Sequence, residues 1–469
     1  MARVQDRMDR RSFLRHSAAA GGALLGSPLM GGLAARGAES RSRHRKAKKG
    51  EGGYGELFPT PDQNGNELLA LPEGFRYTTI GVTGAVMSDG NHTPKAHDGM
   101  AAFRMSNGNI RLVRNHEVRD EAGLEPPIGN TSSAYDPIGP GGTTSLELDV
   151  DRSGRAHLVR DFVSLNGTIV NCAGGPTPWG TWLTCEETTE GQSHGWARPH
   201  GYIFEVPASV ERQVTAVPLP AMGRFVHEAV AVDPDSGFVY ETEDETPCGF
   251  YRFVPDVESR LDADGRLQML AIKEKPNYQT GTGQRLHKPL PVTWVDIDDP
   301  DPAAAESNPR AVYEQGAAKG GAAFLRLEGC WYGEGSIFIN STSGGDAGLG
   351  QVWEYRPRGR SGGQLSLLFE SSSPDVLESP DNICVTPRGG IVLCEDGDAE
   401  QYLRGLTMEG EIFDFALNLA SEYEWAGATF SPKGNTLFVN IQGATSGPVT
   451  PGDEGMTFAI WGPWEDGAL

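Results

Sequence analysis

A layout of two short apolar runs joined by a turn recurs six times along the chain and restricts its fold more than any other feature. In the clearest copy, residues 167–187 (GTIVNCAGGPTPWGTWLTCEE), Asn171 and Cys172 open the first run, and Glu186 and Glu187 end the second. Five weaker copies also begin with polar residues and end on acids or amides, and they span residues 97–117, 227–244, 326–342, 381–396 and 424–442. The pattern predicts six hairpins that carry potential metal ligands.

The spacing within these copies indicates one repeated unit. The potential ligands of the two runs are 14, 15, 12 and 14 residues apart in the second to fifth copies, and 19 apart in the first. Each pair is followed by a further strand-like run, such as HGYIFEVP or GQVWEYRP, with alternating aromatic and β-branched residues. Small antiparallel sheets repeated in one chain close most simply as a β-propeller. The sequence therefore predicts an all-β fold: a six-bladed β-propeller with an axial metal site.

The N-terminus is expected to be an export signal rather than part of this fold. An Arg pair beside Phe-Leu (DRRSFLR) precedes a Gly- and Ala-rich apolar run, which is the pattern of a twin-arginine signal. The alternative is an uncleaved membrane anchor, although an apolar run so broken by Gly makes a poor stable membrane span. We expect a signal at 1–38, a basic and Gly-rich linker at 39–52 and the propeller at 53–469. The twin-arginine translocase would then export the protein to the periplasm, the cell surface or the medium.

The charge of the chain limits its partners. The whole chain carries −23, but residues 1–49 hold 12 Lys or Arg against 3 Asp or Glu, so the remainder carries −32. Such an acidic protein repels nucleic acid and anionic membranes. It would accept an anionic substrate only where bound cations reverse the local field. Carboxylates at strand ends are hard oxygen ligands that suit calcium, so the acidity itself favours a metal centre.

The six cysteines form no CxxC pair and no zinc-type spacing. Disulfides are permitted in an exported protein, but twin-arginine substrates fold before export in a reducing compartment, which argues against them. Four cysteines lie inside apolar runs and are predicted to be small buried hydrophobes, namely Cys185, Cys330, Cys384 and Cys394. Cys172 differs, because it stands beside Asn171 at the polar start of a run.

A set of motifs in fixed order extends this pattern into a family resemblance. They include GYGELFPT, LLALPEGFRY, HDGMAAF, VRNHE, GGTTSLELD, NCAGGPTPWGTWLTCEE, RFVHEA, CGFYRFVP, GSIFINSTSGG, GQVWEYRP and SPDN. Together with the twin-arginine start, they resemble the PhoX family of secreted bacterial alkaline phosphatases. The resemblance spans nearly all of the chain after about Gly53.

The resemblance implies an enzyme that hydrolyses phosphate monoesters at alkaline pH with an axial cluster of Fe³⁺ and Ca²⁺ ions, in a role of phosphate acquisition. Cys172 matches the family's cysteine that bridges two irons, and Glu228 and Glu328 match the glutamates that complete the iron sites. Arg326, two residues before Glu328, would face the same way along a strand and bind the substrate phosphate. The substrate would be a small-molecule phosphoester, and no Ser or Thr nucleophile is implied. We expect a monomer.

Calcium ligands carry over from the family less specifically. The candidates are Glu117, Glu186, Glu187, Glu243, Asp244, Asp381, Asn382, Glu395 and Asp396. His116 and His227 are candidates either for ligands or phosphate donors, or for groups hydrogen-bonded to a neighbouring carboxylate. The fourth and sixth copies depart from the pattern, because they end on Asn340 and Asn440 instead of acids.

Two other classes of function use the same architecture. A calcium-dependent lactonase or a phosphotriesterase would keep the axial carboxylates, but it would need neither a thiolate at Cys172 nor a phosphate-binding Arg326. A non-catalytic propeller stabilised by calcium would keep the acids for structure alone. The insert at 256–319 is expected either to cap the site or to extend a blade, and its His287 and Lys288 are candidate substrate contacts.

Overall fold

The structure, a computed structural model, describes residues 52–469. The predicted signal at 1–38 and all but the last residue of the predicted linker lie outside the described residues. No helix in the described part of the chain is long and apolar enough to cross a membrane.

Short strands are the main secondary structure of the described chain. In chain order they begin with β1 (Leu57–Thr60), β2 (Leu69–Pro72), β3 (Arg76–Ile80), β4 (His97–Arg104), β5 (Ile110–His116), β6 (Gly141–Val150), β7 (Ala156–Thr168), β8 (Asn171–Pro176), β9 (Thr181–Glu186) and β10 (Ile203–Pro207). The middle of the chain forms β11 (His227–Val232), β12 (Val239–Glu243), β13 (Phe250–Pro255), β14 (Gly265–Ile272), β15 (Leu290–Asp296), β16 (Leu327–Gly333), β17 (Ser336–Ser341), β18 (Gln351–Arg358) and β19 (Gly362–Glu370). The last strands are β20 (Pro380–Val385), β21 (Ile391–Glu395), β22 (Tyr402–Leu406), β23 (Ile412–Asn418), β24 (Trp425–Phe430), β25 (Leu437–Ile441) and β26 (Met456–Trp461).

Helical structure is sparse among the described residues. It consists of one α-helix, α1 (Ala311–Ala318), and four single 3₁₀ turns at Thr131–Ser133, Gln192–His194, Pro220–Met222 and Trp464–Asp466. The all-β class predicted from the sequence is confirmed.

The strands pair antiparallel in sheets built from successive hairpins. Their orders are β4-β5-β6-β7, β10-β9-β8, β24-β25-β26-β3, β1-β2-β23-β22-β21-β20, and β11-β12-β13-β14-β15-β19-β18-β17-β16. All six hairpins of the repeated layout are present, as β4-β5, β8-β9, β11-β12, β16-β17, β20-β21 and β24-β25.

The first strand of each hairpin belongs to an inner ring. β4, β8, β11, β16, β20 and β24 each pack against the next, and β24 packs against β4 in turn. These strands approach so closely that glycine is required at some contacts: a Cβ on Gly99 would lie 2.6 Å from the Cα of Ala173, and one on Gly329 would lie 2.6 Å from the backbone N of Ile383. The close approach brings side chains from different hairpins together.

Every hairpin has a β-bulge near the start of its inner strand. The register shifts lie between His97 and Met100, Asn171 and Gly174, His227 and Val230, Leu327 and Cys330, Pro380 and Ile383, and Ala426 and Thr429. A bulge inserts one extra residue and redirects its side chain. The first bulge residue, at equivalent positions around the ring, is Asp98, Cys172, Glu228, Glu328, Asp381 or Gly427.

The hydrophobic core lies between neighbouring sheets. Val113, Trp182 and Phe204 fill the space between the first two sheets along the chain, and Trp425 and Phe458 belong to a larger cluster between the last two. Burying each of these large side chains contributes on the order of 1.5–3 kcal/mol relative to leaving it exposed. The alternating apolar residues of the repeated runs therefore supply the packing that holds the sheets around the ring.

The insert at 256–319 extends a sheet. It contributes β14 and β15, and β15 pairs with β19, so one sheet runs continuously through two hairpin groups. The backbone N–H of His287 donates to the carbonyl of Leu367 on β19 at 2.8 Å. His287 therefore lies against an outer strand, far along the sheet from the inner ring.

Candidate metal centre

Side chains from the bulges and from neighbouring loops converge at one end of the inner ring. Their potential ligand atoms lie within 4.8 Å of one another in four groups: Asp98, Glu117 and Cys172; Cys172, Glu187 and Glu228; Glu228, Glu328 and Asp381; and Asp381, Asp396 and Glu424. Successive groups share one member, so the nine residues form a continuous series, which we call the axial cluster. The bulges supply the three shared residues, because they stand where adjacent inner strands are closest.

Burial of the acidic side chains in the axial cluster costs free energy unless positive charge lies beside them. Desolvation, followed by the nearby Glu328 carboxylate, raises the pKa of Glu228 well above its ordinary value. Desolvation and then Asp396 raise the pKa of Asp381 to about 7. The pKa of the Cys172 thiol is also raised, by desolvation and then by Asp98. So many acids are packed together stably only when they take up protons or when cations compensate their charge.

Glu228 provides the most direct test of whether this cluster fits metal ions. It is fully buried, and neither of its carboxylate oxygens has a hydrogen-bond partner in the described residues. A buried carboxylate left without donors is strongly unfavourable, whereas metal coordination would satisfy both oxygens. The donor set fits as well, since carboxylates suit hard cations such as Ca²⁺ and a thiolate suits a softer transition metal such as iron.

Two arginines lie at the exposed edge of the axial cluster. The guanidinium of Arg119, with 42% of its side chain exposed, contacts Glu117 and Glu187. That of Arg326, with 45% exposed, donates to both carboxylate oxygens of Asp244 at 2.8 and 2.9 Å and to Glu328 at 2.8 Å. Buried acids are thus bordered by accessible cations, an arrangement that can hold a dianion over the cluster.

Arg326 reaches Glu328 by a different route from the one predicted. It does not share a strand face with Glu328, because β16 begins at Leu327 and Arg326 precedes it in a left-handed conformation with φ of +47°. Non-glycine residues with positive φ also precede β4, β8 and β20, at Ala96, Val170 and Ser379. Such conformations cost about 1–3 kcal/mol each and are typical of functional sites.

Several predicted ligands do not belong to the axial cluster, because protein donors already hold them. Glu186 accepts hydrogen bonds from the backbone N–H groups of Ile169, Gly201 and Tyr202 at 3.0, 2.9 and 3.2 Å. Its Oε1 also lies 2.6 Å from Nδ1 of His200.

Glu243 and Glu395 are held in the same way. Glu243 accepts from the backbone of Gly249 at 2.8 Å and the hydroxyl of Tyr251 at 2.7 Å. Glu395 accepts from Arg404 at 2.9 Å, along with the backbone of Glu378 and Tyr402. We call Glu186, Glu243 and Glu395 the clamp carboxylates, because each one ties the end of its own strand to an adjacent loop.

The predicted amide ligand and the two histidines have hydrogen-bond partners within the protein. The Asn382 side chain donates to Asp381 at 2.6 Å and accepts from the N–H of Gly427 at 2.7 Å. His116 is 2.8 Å from the carbonyl of Lys95 and 2.8 Å from the hydroxyl of Thr144. His227 lies 3.1 Å from the carbonyl of Gly223, and burial lowers its pKa to about 3, so its imidazole is neutral.

Asn340 and Asn440 stand where other copies of the layout have acids, and their side chains hydrogen-bond to the backbone of neighbouring bulges. The Asn340 amide donates to the backbone carbonyl of Asp381 at 2.7 Å, and the Asn440 amide donates to that of Asp98 at 2.6 Å. At equivalent junctions, Asn115 donates to the carbonyl of Cys172 at 2.9 Å and Thr242 to that of Glu328 at 2.6 Å. A second strand thus fixes the ligand-bearing bulge of the next hairpin at four of the six junctions.

Sequence reasoning missed Asp98, Glu424 and Arg119 as site residues. Asp98 had a usable signal, because it occupies the same repeat position as Cys172 and Glu228. Glu424 also opens its copy of the layout, but three residues before the bulge, where Gly427 stands in place of a ligand. Nothing in the spacing alone points to Arg119.

The six thiols agree with part of the sequence prediction. All six cysteines are free and buried, and four lie within strands as small apolar side chains, namely Cys185, Cys330, Cys384 and Cys394. The Cys172 side chain alone among them belongs to a group of potential metal ligands.

Comparisons with known proteins agree with this geometry. The family model described as alkaline phosphatase PhoX matches residues 52–445. The fold is similar to the structure of Pseudomonas fluorescens PhoX in complex with vanadate, a transition-state analogue, with a TM-score of 0.67 and 19% identity over 88% of this chain and 98% of that one. A weaker similarity, with a TM-score of 0.40 and 11% identity, links 90% of the chain to all of a gluconolactonase from Xanthomonas campestris. No curated protein sequence matches the chain.

Proposed function

The chain belongs to the alkaline phosphatase PhoX family and is a phosphatase, and we propose that it hydrolyses phosphate monoesters with metal ions held by the axial cluster. We interpret the inner ring, with its six hairpins, as the centre of a six-bladed β-propeller. The active site is then the end of the propeller axis at which the bulges converge.

The observation that carries the proposal is the unpartnered, fully buried carboxylate of Glu228. It belongs to two of the four groups, so it would hold a cation bound in either one. Cys172 is shared in the same way between the first two groups. We assign Fe³⁺ to the positions served by Cys172, Glu228 and Glu328, and Ca²⁺ to those served only by carboxylates.

Bound cations of this kind neutralise charge on phosphate oxygens and activate water for attack on phosphorus. The chain's own contribution is to position the substrate. Asp244 holds Arg326 through two parallel hydrogen bonds, which fixes the plane of the guanidinium and leaves Nη1 without a protein acceptor among the described residues. Nη1 is therefore placed to donate to a phosphate oxygen, and Arg119 supplies a second positive charge across the cluster.

Metal analysis and hydrolysis of p-nitrophenyl phosphate test the proposal when wild type is compared with Cys172→Ala. We expect iron and calcium in the wild type, and loss of both iron and activity in the variant. Cys384→Ala is the matched control, because it removes an equally buried thiol that belongs to none of the four groups. An active wild type without iron, or activity that is indifferent to Cys172, would contradict the assignment.

Substrate class needs a separate comparison. We expect hydrolysis of p-nitrophenyl phosphate to exceed that of bis(p-nitrophenyl) phosphate and of a simple lactone, because the two arginines match a dianionic group. A preference for the lactone or for the diester would instead support the hydrolases that need no phosphate-binding arginine.

Export completes the proposed function. The twin-arginine pattern at 1–38 supports secretion of the folded enzyme, which would act on phosphoesters outside the cytoplasm to supply phosphate. Replacing Arg10 and Arg11 together with Lys should leave the enzyme in the cytoplasm, as measured by cell fractionation. Unchanged export of that variant would contradict the assigned route.

A further inference from the structure

A second polar cavity lies away from the axial cluster, on the outer strands of the long sheet. It has a volume of about 290 Å³ and is lined by Phe238, Arg252, Val254, Arg266, Gln268, Trp294, Arg360 and Ser361. These residues come from β13, β14, β15, the turn before β12 and the turn between β18 and β19. None of them belongs to the inner ring, so the cavity is separate from the proposed active site.

Three positive charges line this cavity, and no acidic side chain does. None of Arg252, Arg266 and Arg360 forms an ion pair with a carboxylate in the part of the chain that the structure describes. The nearby carboxylate of Asp296 accepts from Gln268 at 2.6 Å instead. In a chain with a net charge of −23, this is a local reversal of sign.

Arg252 is the central group of the cavity. Only 4% of it is exposed, yet its hydrogen-bond partners are the neutral Gln268, at 2.8 Å from Nε, and the Tyr240 hydroxyl. Its guanidinium stacks over the ring of Trp294 at 4.4 Å and over that of Phe238 at 5.2 Å. A buried guanidinium held in place without a carboxylate retains positive charge that a ligand can neutralise.

The other two arginines are more accessible. Arg266 and Arg360 are exposed. The guanidinium of Arg360 lies 4.6 Å from the ring centre of Phe238, which is one of the two rings that Arg252 contacts. On one wall, Nε1 of Trp294 donates to the Tyr355 hydroxyl at 3.3 Å. Three guanidinium groups therefore surround a space in which they form no ion pair with a described carboxylate.

We propose that this cavity binds a dianionic oxyanion of the phosphate type, either as inorganic phosphate or as the terminal group of an organic phosphate. Arginine guanidinium groups bind such groups with paired, charge-assisted hydrogen bonds, and Ser361 adds a hydroxyl at the rim. The space exceeds that of one phosphate group, which favours an organic phosphate over the free ion. The site is an addition to the proposed active site and does not depend on metal ions.

Equilibrium dialysis of the purified holoenzyme with ³²P-labelled phosphate tests this site. We expect two classes of binding site in the wild type, and one of them should persist in Cys172→Ala, which disables the axial cluster. The double variant Arg266→Gln/Arg360→Gln should weaken that persisting class by about tenfold or more, because two charge-assisted contacts are lost. Its phosphatase activity should remain at the wild-type level, which also verifies folding.

The control is Arg152→Gln/Arg155→Gln, which removes the same charge from exposed positions on the turn between β6 and β7. If phosphate binding falls equally in both double variants, the loss is explained by net charge alone and the proposal is overturned. Phosphate binding that Arg266→Gln/Arg360→Gln leaves unchanged would also overturn it. Competition by phenylphosphonate, which phosphatases do not hydrolyse, separates the two sources of the ligand. Displacement at lower concentration than unlabelled phosphate supports an organic phosphate, and the reverse order supports the free ion.

Discussion

Two sets of buried carboxylates lie one residue apart along the chain and are held in opposite ways. The clamp carboxylates accept hydrogen bonds from backbone N–H groups, a tyrosine hydroxyl, a histidine and an arginine, although Oε1 of Glu243 has no partner among the described residues. The residue after each, namely Glu187, Asp244 or Asp396, turns toward the axial cluster or its arginines. Adjacent acids in one sequence motif therefore serve different purposes.

The difference teaches which acids stabilise the fold and which depend on cations. Glu186 accepts from three backbone N–H groups and lies beside His200, so these partners stabilise its charged form without any ligand. At the other two clamp carboxylates burial outweighs the donors and raises the pKa, to about 8 for Glu243 and about 7 for Glu395. An axial carboxylate such as Glu228 has burial but no donors, so it opposes folding until a cation binds. Activity and stability should consequently respond in opposite ways to substitution in the two sets.

The largest effect should follow from Glu228→Gln, which removes an axial charge while keeping the shape of the side chain. We expect phosphatase activity to fall at least about a hundredfold, since even groups that only support metal ligands contribute 10- to 100-fold. In the metal-stripped state the variant should unfold at the same temperature as wild type or a higher one, because no hydrogen bond is lost. Thermal unfolding with and without chelator measures this, and a less stable metal-free variant would break the comparison.

Glu186→Gln should have a smaller effect, and it should change stability rather than activity. The substitution leaves the buried His200 imidazolium with one carboxylate partner fewer, which should lower the free energy of unfolding by roughly 3 kcal/mol. Chelation should not remove this loss, because Glu186 belongs to none of the four groups. Denaturant unfolding of both proteins in chelator gives the value, and a loss that disappears without metal would place Glu186 among the ligands.

The pH dependence of stability should identify the same clamp. Burial alone would lower the pKa of His200, but Glu186 and Asp136 outweigh it and raise the pKa to about 9. The imidazolium therefore contributes about 3 kcal/mol below pH 6.5, and this contribution is lost as the pH rises through about 9. Unfolding followed from pH 6 to 10 should show the decline in wild type and a flatter profile in His200→Gln. Identical profiles would remove His200 from the clamp.

The smallest effect should come from the amides that support the bulges. Asn340→Ala removes the hydrogen bond to the carbonyl of Asp381, so we expect calcium affinity to fall by about tenfold, with a modest loss of stability. Thr436→Ala is the control, because that buried side chain also donates to a backbone carbonyl, of Gly154 at 2.7 Å, at the turn end of its hairpin and away from the bulge. Equal calcium affinities in the two variants would mean that the bulges need no such support.

The sequence predicted the architecture well because repeats carry it. Six copies of one layout became six hairpins, and the family motifs placed Cys172, Glu228 and Glu328 in neighbouring groups of potential ligands. The repeat also contained the signal for Asp98, at the same position in its copy. These features follow from strand periodicity, which can be observed in the order of residues.

The division between clamp and axial acids could not be predicted in the same way. Glu186 and Glu187 both end an apolar run, and which one faces the inner ring depends on where the strand stops and where the neighbouring backbone donors lie. A bulge shifts the alternation of side chains between the two faces of a strand by one residue. Counting odd and even positions along the sequence therefore assigns side chains at the site to the wrong face. Arg326 shows the same limit, since a positive φ rather than a shared strand face brings it to Glu328.

The pairing of β3 with β26 has a consequence for how this protein is made. Residues 76–80 must wait as an outer strand with no neighbour until residues 456–461 have been synthesised. The ring, and with it the meeting of Asp98 and Asn440 across the last junction, is completed only after β24 and β25 have been synthesised. A polypeptide cut short before β26 would present an open sheet edge to other chains, so translational errors should produce aggregates rather than partly active enzyme.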